Sequence, residues 1–175
     1  MRFQLRIFLV FFILVASYSG ALGVTSSKFS DETTNLVIYH LNEVRRVCSS
    51  LPLEYRVDCL GDGLAWASGC LPRSPDYRAA RSILAKAGNK IQALKISQDR
   101  TKKPIRSVAS RVWKGSKNIK ALEASSIPGA AVQALAIIQE AETQLLRSTE
   151  NSERRRVHYR RIAIAVGGTA RVLRS

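Results

Sequence analysis

The chain has 175 residues and carries 28 Lys plus Arg against 13 Asp plus Glu, a formal charge of +15. Apolar residues at 46% and charged residues at 23% match folded globular chains and exclude a wholly disordered protein. Five Pro and ten Gly exclude collagen-like or Pro-rich architecture, and two His with three Cys leave few ligands for a metal-rich site.

Residues 1–23 read as a secretory leader: Arg2 and Arg6 at a basic start, an apolar run from Ile7 to Ala16, then small and polar residues through Gly23. The apolar run is half of the roughly 20 residues that a spanning helix needs. Ser19 and Ala21 favour cleavage after Ala21, with a second site after Gly23. The other reading is an uncleaved anchor that borrows residues 17–24. With residues 1–23 removed, residues 24–175 form a single helical domain that keeps a net charge of +13. Its aromatics are few, so its core is mostly aliphatic, a composition that favours helices.

The predicted elements follow in order. Ser30 or Asp31 caps a first helix over 31–48, with Leu36, Tyr39, Leu41, Val44 and Val47 on its apolar side. Pro52 ends the break after it, and a second helix runs over 53–69 with Tyr55, Val57, Cys59, Leu60, Leu64 and Ala67 inward. Gly61 and Gly63 leave room for a kink there. Ser74-Pro75-Asp76 reads as cap, first position and first-turn acid of a third helix. Its stripe of Tyr77, Ala80, Leu84, Ala87, Ile91 and Leu94 extends to about Gln98.

Pro104 is expected to open a fourth helix over 104–123, with Ile105, Val108, Val112 and Ile119 on one face and Trp113 beside it. Pro128 opens a fifth, with Ala131, Leu135, Ile138 and Leu145 inward, to about Thr149. From Asn151 the spacing of Tyr159, Ile162, Val166, Ala170 and Leu173 predicts a last helix interrupted by Gly167-Gly168. The fold class is therefore all-α, an irregular bundle of four to six helices.

Export permits a disulfide, and Cys48, Cys59 and Cys70 are evenly spaced. Cys59 and Cys70 on one helix would stand about 16 Å apart, far beyond the roughly 4.4–6.8 Å that bridged Cα atoms need. Cys48 and Cys59 face each other across the Pro52 turn and are the predicted pair, leaving Cys70 as a buried, inert thiol.

Chemistry-bearing motifs are absent. His40 and Glu43 form half of a carboxylate–histidine pattern with no second half, so His40 reads as solvated or capping, and His158, among arginines, as a surface residue. Gly61-Asp62-Gly63 lacks the strand of a dinucleotide site, and Asp58 with Asp62 reads as an exposed pair for Arg56 or other cations. No catalytic residue, cofactor or metal site is assigned.

Charge is concentrated instead. Residues 73–120 hold fourteen basic residues and two acids, Asp76 and Asp99. Arg78, Arg81, Lys102, Lys103, Arg106, Arg111, Lys114 and Lys117 are the candidate anion-binding surface. A field of this kind attracts an anionic membrane surface, lipid head groups, a polysaccharide or an acidic protein. Sequence-specific nucleic-acid recognition is excluded by the lack of any DNA- or RNA-binding signature and of interleaved aromatics. The expectation is an exported, periplasmic or secreted, non-catalytic binding protein. Its rivals are a small periplasmic hydrolase and a structural protein anchored by its uncleaved leader.

Overall fold

A computed structural model describes residues 29–94, 96–105, 113, 118–148 and 153–174. The expected leader and the start of the domain at residue 24 lie outside the described residues, as do Lys95, Arg106, Arg111, Lys114, Lys117, Val108 and Val112.

Among the described residues five helices carry the fold: α1 (Asp31–Ser49), α2 (Leu53–Cys70), α3 (Arg78–Gln92), α4 (Ile127–Arg147) and α5 (Glu153–Thr169). They close a ring, α1 against α2, α2 against α3, α3 against α4, α4 against α5 and α5 back on α1. The ring surrounds one hydrophobic core in which Leu41, Leu60, Leu64, Leu84, Ile138, Leu145 and Ile162 are wholly buried. The chain is all-α, as the periodicity predicts. Among the described residues no helix is long and apolar enough to cross a membrane.

α1 starts where its cap residue places it: the Ser30 hydroxyl accepts from the Thr33 amide at 3.1 Å, and Asp31 and Glu32 face the positive end of the helix. Its buried side is Thr34, Val37, His40, Leu41, Val44, Val47 and Cys48. Leu36 and Tyr39, expected inward, are about half exposed, because the true stripe runs through Val37 and Leu41. α2 continues as one helix through Gly61 and Gly63. A Cβ on Gly63 would collide with Val44 of α1, and one on Gly61 would press on Ile91 of α3 at 3.0 Å. On α3, a Cβ at Gly88 would meet the Ala65 amide nitrogen at 2.5 Å and the Gly61 carbonyl at 2.7 Å. These glycines let three helix backbones approach closely.

α3 begins later than its cap signal. Pro75 to Tyr77 form a turn, and Ser74 Oγ is buried without a hydrogen-bond partner. A residue from the far end of the chain supplies the cap: the Tyr159 hydroxyl of α5 accepts from the Ala80 amide at 3.2 Å and donates to the Asp76 carbonyl at 2.8 Å. The predicted stripe of Tyr77, Ala80, Leu84, Ala87 and Ile91 is buried, but the helix stops at Gln92.

Over the expected fourth helix the described residues, 104–105, 113 and 118–123, are not helical and form an antiparallel excursion instead. Gln98 bridges to Leu122 and Ile105 to Ile119, the latter pair exchanging amide–carbonyl bonds of 2.9 Å in both directions. Pro104 lies outside any helix, next to that bridge. The excursion docks on the first half of α2: the Leu122 amide donates to the Glu54 carbonyl, the Tyr55 hydroxyl to the Lys103 carbonyl, and the Lys120 amide to Asp58 Oδ2. Trp113 reaches back into the core, stacked on Trp66 with ring centroids 5.7 Å apart. Local periodicity favours a helix here, and docking on α2 overrides it.

A 3-10 turn (Ala124–Ser126) leads into α4, whose buried side is Ala130, Ala134, Ile138, Ala141 and Leu145. Ala131 and Leu135, expected inward, lie one position off this stripe and are half-buried. α5 passes through Gly167-Gly168 without a break and ends in a 3-10 turn, Ala170–Leu173.

Candidate anion-binding face

The basic stretch splits over two places. Arg78 and Arg81 lie on the first turn of α3, with Lys86 and Lys90 further along, so Arg78 and Lys90 stand about 18 Å apart along the axis. Lys102 and Lys103 belong to the excursion, which follows the C-terminal end of α3. Arg81 and Lys90, nine residues apart, point to opposite sides of α3, so the basic residues spread over more than one face and are not a single patch. Arg106, Arg111, Lys114 and Lys117 lie outside the described residues.

Few carboxylates meet these residues. Lys102 Nζ pairs with Glu54 Oε1 at 2.6 Å; this hydrogen bond holds the exposed Glu54 carboxyl below its usual range and raises the Lys102 ammonium. Arg73, Arg78, Arg81, Lys86, Lys90, Arg100, Lys103 and Lys120 have no ion pair among the described residues. In the groove between α3 and α4, Lys86 and Lys90 line a hollow of about 280 Å³ with Ile83, Ile137 and Glu140. Glu140 there accepts from Gln144 at 2.6 Å. A second hollow, of about 650 Å³, is bounded by residues 96–101 and Glu123, where Asp99 turns inward on Thr101. Those bonds hold the Asp99 carboxyl low.

The acids and histidines weighed for catalysis are used in building the fold. Asp58 is drawn up by burial and accepts the Lys120 amide at 2.9 Å, which works against that rise. Arg56 donates to the Leu51 carbonyl and to the Val172 carbonyl. Glu43 holds Arg46 in a two-pronged pair at 3.0 and 2.9 Å, and His40 turns away from it into the core beside Trp66. His40 and His158 are both buried, at 7% and 6% exposure, which corrects the solvated reading of each. His158 Nδ1 bonds the Thr34 hydroxyl at 2.9 Å, Thr34 bonds Tyr77 at 3.0 Å, and Phe29 stacks on the imidazole at 5.3 Å. Burial lowers the pKa of both histidines. Among the described residues no three of His, Cys, Asp and Glu converge as metal ligands.

Cys48 and Cys59 are bridged, with Cα atoms 5.7 Å apart, as the geometry of the Pro52 turn predicts. Cys70 is free but half-buried, not fully enclosed, because it is the last residue of α2; partial burial pushes its thiol pKa up. The sequence reading missed the buried Thr34–Tyr77–His158 cluster. Tyr77 and His158 lie 43 and 124 positions from Thr34, and no periodic signal links the three. Comparison with protein-family models, with curated proteins and with solved structures finds no match, so a functional reading rests on the side chains just described.

Proposed function

We propose that the chain is an exported, non-catalytic helical protein that binds an anionic partner through the basic residues of α3 and the excursion after it. One observation carries this reading: among the described cations of residues 73–120, Lys102 forms an ion pair while Arg73, Arg78, Arg81, Arg100 and Lys103 form none, and the carboxylates nearby are Glu140 beside Lys86 and Lys90 and Asp58 beside Lys120. Uncompensated like charges cost self-repulsion, which a polyanion relieves. Export is supported by the leader-like start and by the Cys48–Cys59 bridge, a bond that persists in oxidising compartments. Anionic lipid head groups, acidic polysaccharide and acidic protein all offer the complementary charge.

The test is retention on dextran sulfate and on phosphatidylglycerol vesicles. Retention is expected at low salt, lost by about 0.5 M salt as screening shortens the reach of the field. Reversal of Arg78, Lys86, Lys90 and Lys103 to Glu abolishes it at low salt. Retention that survives this reversal refutes the assignment.

A further inference from the structure

A different groove, between α1 and α5, combines cations with an exposed apolar floor. The two helices run parallel: Phe29 and Asp31 meet Arg154 and Arg161 at one end, and Val172 lies beyond α5 at the other, held by Arg56. Ile38, Asn42 and Arg45 stand at i, i+4 and i+7 on α1, while Arg161, Ile164, Ala165 and Gly168 occupy the matching stripe of α5. Arg171, from the 3-10 turn, closes one end of a hollow of about 350 Å³.

Charge and floor point to one class of occupant. No acid lines the hollow. Arg161 is held by Asp31 at 2.6 Å and by Asn35, which fixes it as a wall, whereas Arg45 and Arg171 have no carboxylate partner among the described residues. Between these cations Ile164 is 62% exposed, an apolar side chain set where a purely ionic site would want polar neighbours. The run from Ile38 to Arg45 is about 10 Å long. A hollow that size is too small for a helix of about 10–12 Å diameter, and it falls at the lower end of the roughly 300–1,000 Å³ of small-molecule sites.

We infer that this groove binds a single-chain amphiphilic anion, a free fatty acid, with its carboxylate on Arg45 and Arg171 and its chain over Ile38, Ile164 and Ala165. This site is separate from the basic residues of α3 and stands or falls independently of them. Gly168 offers a specific probe, because a Cβ there meets nothing within 4 Å. Gly168→Leu therefore starts from open space at its Cβ, puts a bulky side chain on the groove lining and has better helix propensity.

Calorimetric titration of the whole protein with monomeric fatty-acid anions of increasing length, from hexanoate to dodecanoate, tests the site. One molecule should bind per chain, with affinity rising about two- to fourfold per added methylene until the chain spans the roughly 10 Å floor, at about eight or nine carbons, and levelling beyond. Arg45→Gln with Arg171→Gln, and separately Gly168→Leu, should each weaken dodecanoate about tenfold or more while circular dichroism stays unchanged. Reversal of Arg78, Lys86, Lys90 and Lys103 to Glu should leave it unaffected, although it removes retention on dextran sulfate. Acetate binding as tightly as dodecanoate, vesicle binding without uptake of the monomer, or indifference to both groove variants would each overturn the assignment.

Discussion

His158 is a buried base whose neighbours disagree about its proton. Burial lowers its pKa most; Asp31 works against that, and Arg161 and Arg154 reinforce it. A histidine whose folded pKa lies below its unfolded value contributes stability that is complete above about pH 6.5. That stability is lost as pH falls from there towards the folded pKa, because the unfolded chain takes up the proton first. His40 acts in the same direction through burial. The midpoint of thermal unfolding should therefore drop between pH 7.5 and pH 5, and His158→Gln should flatten that slope; an equal slope in the variant would remove His158 from the account. Tyr159 makes a second residue-level case. Its hydroxyl serves both the Ala80 amide and the Asp76 carbonyl, so Tyr159→Phe leaves the start of α3 without its cap. The expected loss is about 1–2 kcal/mol in urea unfolding, with faster amide exchange at Ala80.

Helix–helix contact gives a prediction in which two physical effects have opposite signs. On propensity alone, Gly88→Ala in the middle of α3 gains about 1 kcal/mol. Against that, the added methyl would fall 2.5 Å from the Ala65 nitrogen, in backbone that cannot move aside as a flexible side chain does. Overpacking of this kind costs about 1–3 kcal/mol, so the denaturation midpoint should fall. A rise would mean that α2 and α3 separate easily. The Cys48–Cys59 bridge ties α1 to α2 across the same layer, and both cysteines are fully buried. Replacing both by Ser should remove about 2–4 kcal/mol of stability by freeing the unfolded chain. Peptide mapping without reduction should find the 48–59 pair intact in the parent, with Cys70 the residue that alkylates.

Across the molecule, charge is the unbalanced quantity. The sequence carries +15, and among the described residues Lys102 pairs with Glu54 from within the basic stretch, while Arg46–Glu43, Arg156–Glu153 and Arg161–Asp31 lie outside it. The ring of helices sets these cations outward because α3 spends its apolar stripe on α2 and α4. Self-repulsion then opposes the compact state, and salt relieves it. The thermal midpoint should rise when NaCl is raised from about 10 mM to 0.2 M, where the Debye length falls below about 8 Å. Reversing Arg78 and Lys90 should raise the low-salt midpoint and reduce that salt response. A midpoint that falls with salt would mean that attractive pairs dominate the surface.

Local signals in the chain specify the helices that follow a clear period and a clear break. Ser30, Pro52 and Pro128 mark real starts, the stripe from Tyr77 to Ile91 is buried as spaced, and the Pro52 turn brings Cys48 to Cys59. These depend on residues within a few turns of one another, so one-dimensional spacing contains them. The antiparallel pairing of Gln98 with Leu122 and of Ile105 with Ile119 does not rest on such spacing, since its described residues are held by α2 through Glu54, Tyr55 and Asp58. Nor does the burial of His158, which depends on Thr34 and Phe29 at the other end of the chain. The groove of Arg45, Ile164 and Arg171 was equally illegible, because the positions that line it become neighbours when α5 closes the ring onto α1. What the amino-acid order specifies is short-range: period, caps, turns and total charge. Which charges stay unpaired and which grooves open depends on contacts between distant segments, whose energies no local pattern encodes.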